Sequence, residues 1–262
     1  MPSSRIPLSE APSPGAPAPP ARAVAARALC PFVDLSRLLL PVACPCGEPD
    51  VRWCTRCAER FAGPPARVEQ GAGRLDRLDG VPPLPVWALT AYTGPVRDVV
   101  VHWKDRGRAD LDALLTRALL RAARGLALRT RATIAVVPVP TAGPARRQRG
   151  RDPVRALAAA VARGLREGGT PARLAPVLRR RTTRDQVGLG SRERGRNLAS
   201  AIRSTRRTEG RVCMLVDDVL TSGATLAASE RALEAAGSAV LGAIVLAATP
   251  PPDDERGRAT TW

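Results

Sequence analysis

The chain has 262 residues, 44% hydrophobic and 25% charged, which excludes a collagen-like or wholly disordered protein and leaves room for one full domain plus a smaller appendage. Forty-one basic residues against 24 acidic ones give a formal charge of +17, a balance that permits polyanionic partners such as phosphates, nucleic acid or acidic lipid. Aromatic residues at 3% are too few for an extended base-stacking platform.

Residues 1–28 carry seven prolines among alanine and serine and are expected to be a disordered tail, because they cannot bury enough apolar surface to offset ordering entropy. Arg22, Arg27, Asp34 and Arg37 interrupt every apolar stretch near the N-terminus, so neither a secretory signal nor membrane insertion is expected. A cytoplasmic chain keeps its cysteines reduced, and clustered cysteines there are metal ligands more often than disulfides. In a small module at 29–62, Cys44-Pro45-Cys46 and Cys54-Thr55-Arg56-Cys57 approximate the paired knuckles of a structural zinc site. The first pair is one residue short of C-x₂-C, which leaves three readings open: zinc with altered geometry, recruitment of Cys30, or loss of the metal. Residues 63–85, rich in Gly, Pro and charge, read as a linker.

From residue 86 to 248 short β-branched runs alternate with amphipathic ones, the pattern of an α/β domain with a parallel sheet flanked by helices. Strands are expected at Val86–Tyr92, Thr133–Val139, Arg211–Asp217 and Ala239–Ala248, with a weaker one at Leu174–Arg180. Helices are expected at Pro95–Lys104, Ala109–Arg124, Val154–Arg166 and Thr225–Ala236. Residues 249–262 read as a polar tail. His102 on the first helix suits a surface or packing role. Lys104 is the only lysine in the chain, and its compact ammonium makes it a candidate for a place near phosphate.

Two basic segments follow. Val136-Val137-Pro138-Val139-Pro140 leads into Arg146, Arg147, Arg149 and Arg151, whose guanidinium groups suit either pyrophosphate oxygens or a solvated basic loop. Residues 179–197, with Arg184, Gln186, Arg192, Arg196 and Asn197, lack a clean period. That suits a mobile loop closing over a substrate, or an ordinary surface hairpin.

The sharpest signal is Val212-Cys213-Met214-Leu215-Val216-Asp217-Asp218-Val219-Leu220-Thr221-Ser222-Gly223-Ala224-Thr225. An apolar strand ends in two acids and a hydroxyl-rich turn that opens a helix. Thr221 to Thr225 would present backbone N–H groups and hydroxyls to a phosphate at the helix N-terminus, with Gly223 permitting close approach. Carboxylates beside such a cradle make sense if they meet vicinal hydroxyls, or the hydration shell of Mg²⁺, on the same ligand. Cys213, within the strand, reads as core packing. No Gly-Lys-Ser/Thr occurs, which disfavours a P-loop kinase.

This segment resembles the 5-phosphoribosyl pyrophosphate (PRPP) motif of type I phosphoribosyltransferases. The resemblance implies that Asp217 and Asp218 hold the ribose hydroxyls and that Thr221, Ser222, Gly223, Ala224 and Thr225 hold the 5′-phosphate. It also implies that PRPP binds with Mg²⁺ and that Arg146, Arg147 and Arg149 face the pyrophosphate, the side on which Lys104, as the sole lysine, is a further candidate. Thr221 stands where hypoxanthine-guanine enzymes have an acid, so salvage of those bases is disfavoured.

The order of motifs is similar to that of the ComF family: the cysteine cluster, Tyr92-Thr93-Gly94-Pro95-Val96-Arg97, Lys104-Asp105-Arg106-Gly107-Arg108, Val137-Pro138-Val139-Pro140, then Gln186 to Leu198 and the PRPP motif. That resemblance implies a link to competence and single-stranded DNA uptake, with DNA and other competence proteins as partners. The alternatives are a salvage or biosynthetic transferase with another acceptor, and a non-catalytic PRPP sensor. One departure is Arg149-Gly150-Arg151-Asp152-Pro153, where the family reads Arg-Gly-Phe-Asn-Gln.

Overall fold

Strands whose residues are apolar on both faces need cover on both sides, and helices that follow such strands supply it. The protein is described from a computed structural model covering residues 42–77, 79–128, 130–140, 151–180 and 202–251. Its first elements are α1 (Thr55–Glu59), β1 (Ala66–Arg67), β2 (Val86–Ala91), α2 (Gly94–Lys104) and α3 (Asp112–Arg124). They are followed by β3 (Ile134–Pro138), α4 (Pro153–Glu167), β4 (Ala172–Leu174), β5 (Leu178–Arg180) and β6 (Ile202–Ser204). The chain then forms β7 (Val212–Leu220), α5 (Ala224–Glu234) and β8 (Ala239–Ala248).

Six strands make one sheet in the order β1-β2-β8-β7-β3-β4. All its pairs are parallel except β1 with β2, the mostly parallel α/β arrangement expected from the alternating pattern. Successive side chains alternate between two cores. Val136, Met214, Val216 and Ile244 join the core built with α2, α3 and α4, while Val137, Cys213, Leu215 and Val245 join the one built with α5 and residues 72–84. Cys213 is fully buried there, as its apolar run implies.

The four expected helices and four main strands are present with ends shifted by at most three residues. The expected strand Leu174–Arg180 is instead two strands in two sheets. Pro176 cannot donate to a ladder, so β4 ends at Leu174 on the edge of the main sheet and β5 restarts at Leu178 in an antiparallel pair with β6. Residues 63–85, where no periodicity predicts an element, supply β1 and a 3₁₀ turn at Glu69–Gly71. Ala72, Leu75 and Leu84 of that stretch are buried. The segments 1–28 and 252–262 lie outside the described residues.

Helices α3 and α4 approach closely because Gly164 has no side chain. A Cβ at that position would lie 2.2 Å from the Leu120 carbonyl oxygen and 3.0 Å from the Ala123 Cβ. Asp152 caps α4, its Oδ1 accepting the Arg155 N–H at 3.1 Å, and Pro153 opens the first turn, where its missing N–H costs nothing.

Candidate functional site

Ligands of open parallel sheets bind beyond the carboxyl ends of the strands, and the described cleft lies there. It has a volume of about 410 Å³ and gathers Asp217, Asp218, Thr221 and Thr225 from the end of β7 and the start of α5. Tyr92 follows β2, Val139 and Pro140 follow β3, and Lys104 closes α2. β7 runs three residues past its expected end, so both acids are strand residues, pointing to opposite sides of the chain.

Each acid accepts the next backbone N–H. Asp218 N–H donates to Asp217 Oδ1 at 2.8 Å, and Val219 N–H donates to Asp218 Oδ1 at 2.8 Å. Asp218 is 3% exposed, and its Oδ2 is met by Lys104 Nζ at 2.5 Å. Burial works against the charge on Lys104, but Asp218 more than offsets it and raises the ammonium above the usual lysine range. Burial, and then repulsion from Asp218, pushes the Asp217 carboxyl up to about 8. That shift favours a protonated Asp217 beside the Asp218–Lys104 ion pair, which lessens the repulsion a phosphate meets in the cleft.

Of the turn residues, Thr221 and Thr225 line the cleft. Gly223 is the N-cap of α5 with φ 79°, in the left-handed region that glycine enters freely. Its missing side chain faces inward: a Cβ there would lie 2.7 Å from Leu75 Cγ and 3.3 Å from the Ala72 Cβ. The glycine therefore serves the packing of residues 72–75 beneath the turn, a reason that the motif alone does not disclose. Arg74 N–H adds a hydrogen bond to the Ser222 carbonyl at 3.2 Å.

Arg146, Arg147, Arg149, Arg184, Gln186, Arg192, Arg196 and Asn197 lie outside the described residues. Arg151 is described, and it builds structure. Its guanidinium donates to Asp112 Oδ1 at 2.5 Å and to the Trp103 carbonyl, and sits over the Trp103 ring. Trp103 Nε1 donates to the same Asp112 oxygen at 2.6 Å. This cluster fixes the last turn of α2, one residue before Lys104. Sequence reasoning missed it, along with the cleft-lining Val100 and Val101, while Tyr92, Asp105 and Arg180 lay in segments it had singled out without a place in the site. His102 remains on the helix surface, Nδ1–H donating to the Asp98 carbonyl at 2.8 Å and Nε2 accepting from Arg106 at 3.0 Å.

The four cysteines Cys44, Cys46, Cys54 and Cys57 converge, with all four Sγ atoms within 4.8 Å of one another. Cys54 Sγ lies 3.8 Å from Cys44 Sγ and 3.6 Å from Cys46 Sγ. A tetrahedral site with Zn–S of about 2.3 Å has S–S edges of about 3.8 Å, so these residues fit zinc and the short first pair does not prevent it. The Glu48 backbone N–H pulls the Cys46 thiol down to about 6, while burial raises Cys44 and Cys57. Arg108 ties the module to the domain, donating to the carbonyls of Ala43 at 2.9 Å and Arg52 at 3.0 Å. Cys44, Cys57 and Phe61 share a core with Val96, Val99 and Trp103 of α2.

A family model for the phosphoribosyl transferase domain matches residues 111–258, more than half of the chain and the whole of the β7–turn–α5 unit. The chain belongs to the phosphoribosyl transferase domain family. No curated protein matches it. The matched span of the phosphoribosyl transferase domain begins after α2, so Tyr92, Lys104 and the cysteine module are contributed by residues N-terminal to it. Among the described residues no helix is long and apolar enough to cross a membrane.

Proposed function

We propose that the cleft binds PRPP, with Asp217 and Asp218 on the ribose hydroxyls, residues Thr221–Thr225 around the 5′-phosphate, and Mg²⁺ accompanying the pyrophosphate. The observation that carries this reading is the meeting, in one cleft at the carboxyl edge of the sheet, of the two acids with Thr221 and Thr225 at the N-terminus of α5. A protonated Asp217 can donate to one ribose hydroxyl while Asp218 accepts from the other, and the aligned N–H groups of α5 favour the phosphate dianion. In a transfer reaction the bond from the anomeric carbon to pyrophosphate breaks, an acceptor atom takes the carbon, and pyrophosphate leaves with the electron pair. Arg146, Arg147 and Arg149 are proposed to stabilise that leaving group, and the segment 179–197 to close over it. An uncatalysed alternative, PRPP sensing, uses the same contacts.

Calorimetric titration of PRPP with Mg²⁺, with ribose 5-phosphate for comparison, tests the reading. Saturable binding that disappears in the Asp217→Asn/Asp218→Asn double variant is expected. Undiminished affinity in a folded double variant overturns it.

Within this family we assign the chain to the ComF type, a cytoplasmic protein handling single-stranded DNA with other competence proteins. The order of motifs and a four-cysteine module sharing the α2 core support this. Zinc is proposed as the metal of the module. One zinc per chain by elemental analysis, and single-stranded DNA binding that weakens steeply with salt, are the expected results.

A further inference from the structure

Lys104 comes from α2, outside the span that matches the family, yet its ammonium meets the buried oxygen of Asp218 at 2.5 Å. No other donor among the described residues reaches that oxygen, and the second oxygen of Asp218 is committed to Val219 N–H. The last turn of α2 is held in place by the Arg151–Asp112–Trp103 cluster, so the lysine is aimed rather than loosely drawn in. The other cation lining the cleft, Arg180, has no ion-pair partner among the described residues. An ammonium is a compact point charge that can occupy the place of a metal ion between carboxylates, whereas a guanidinium is a broad plane. The single lysine of the chain stands at this place.

We propose that Lys104 is the resident counter-ion of the Asp217–Asp218 pair, barring free divalent cations from the cleft and yielding Asp218 when a ribose diol arrives with its own phosphate-bound cation. The yielding step rests on the PRPP reading above. The exclusion of free cations does not, because it follows from the ion pair alone. A divalent ion approaching the acids meets a positive charge a few ångströms away, and removing that charge leaves a buried carboxylate without its ion-pair partner.

The test is Mn²⁺ titration of the full chain without PRPP, read by electron paramagnetic resonance, for the parent, Lys104→Met and Lys104→Arg, each shown to be folded by circular dichroism. Lys104→Met should bind Mn²⁺ about tenfold or more tighter than the parent, and this gain should vanish when Asp218→Asn is added. Lys104→Arg, which keeps the charge, should stay within about threefold of the parent. Equal Mn²⁺ affinity in the parent and Lys104→Met overturns the proposal, as does a gain that survives Asp218→Asn. A pair that merely fastens α2 to β7 would lower the melting temperature without moving Mn²⁺ affinity. A PRPP titration on the same samples reports separately on the ligand reading, so either inference can fail alone.

Discussion

Replacing Gly223 with alanine tests whether the turn of the PRPP motif is shaped from beneath. The φ of 79° costs an L-residue about 1–2 kcal/mol. The new Cβ would also lie 2.7 Å from Leu75 Cγ and 3.1 Å from its Cδ2. Leu75 is 1% exposed and cannot swing into solvent, so this overlap adds about 1–3 kcal/mol. The total, about 2–5 kcal/mol, would show as a lower midpoint in urea unfolding at unchanged slope, together with weaker PRPP binding because the start of α5 moves. The two contributions separate in a double-mutant cycle. Leu75→Ala alone should cost about 2–5 kcal/mol through its cavity, but in Gly223→Ala/Leu75→Ala the overlap is gone. The double variant should therefore be more stable than the sum of the singles by about 1–3 kcal/mol. Strict additivity, or a Gly223→Ala variant within about 0.5 kcal/mol of the parent, would refute the packing argument.

The pH dependence of stability follows from Asp217. Its folded carboxyl titrates at about 8 against an ordinary 3.8, so from about pH 4 to pH 8 the folded chain holds a proton that the unfolded chain has released. The contribution of this group is full below about pH 4 and is lost as pH rises through about 8. A shift of this size corresponds to about 6 kcal/mol if fully realised, reduced to about 1–3 kcal/mol by solvent in the partly open cleft. Asp217→Asn should gain stability over the parent between pH 5 and pH 9 in urea titrations, and a constant difference would contradict the assignment. Gly164→Ala should lower stability by about 1–3 kcal/mol, since its Cβ would meet the Leu120 carbonyl oxygen at 2.2 Å. An unchanged melting temperature would show that the helices separate freely. Chelation by a strong zinc ligand should lower the melting temperature of the whole domain, because Cys44 and Cys57 share a core with α2 and metal binding adds to folding. A melting temperature indifferent to chelator would count against the metal.

Local sequence carried the four main strands, the four longer helices and the acid-to-threonine turn, because each of these is fixed by residues that are neighbours along the chain. The continuous apolar run of β7, ended by two acids, and the switch to helix at Ala224 need no knowledge of the rest of the molecule. What stayed hidden depends on residues far apart in sequence. Pro176 marks a break in an apolar run, but only the pairing of β5 with β6 shows that the chain changes sheets there. Gly223 was legible as a turn glycine, yet the side chain that requires it, Leu75, lies in a stretch with no period of its own. Arg151 looks like one more member of a basic loop until Asp112 and Trp103 are brought beside it.

Lys104 is the sharpest case. Its rarity singled it out in the sequence and phosphate chemistry suggested its surroundings, but its nearest charge is a carboxylate. A cation whose partner is an acid of the ligand site controls that site differently from one that awaits the ligand's phosphate. The first must be displaced, or must share its partner, when ligand enters, whereas the second simply gains one. The two roles predict opposite effects of its removal on free-cation affinity, since a phosphate-facing lysine leaves the acids as they were. A resident ammonium also gives Asp218 a way to stay buried and charged, which an unneutralised carboxylate at this depth could not do.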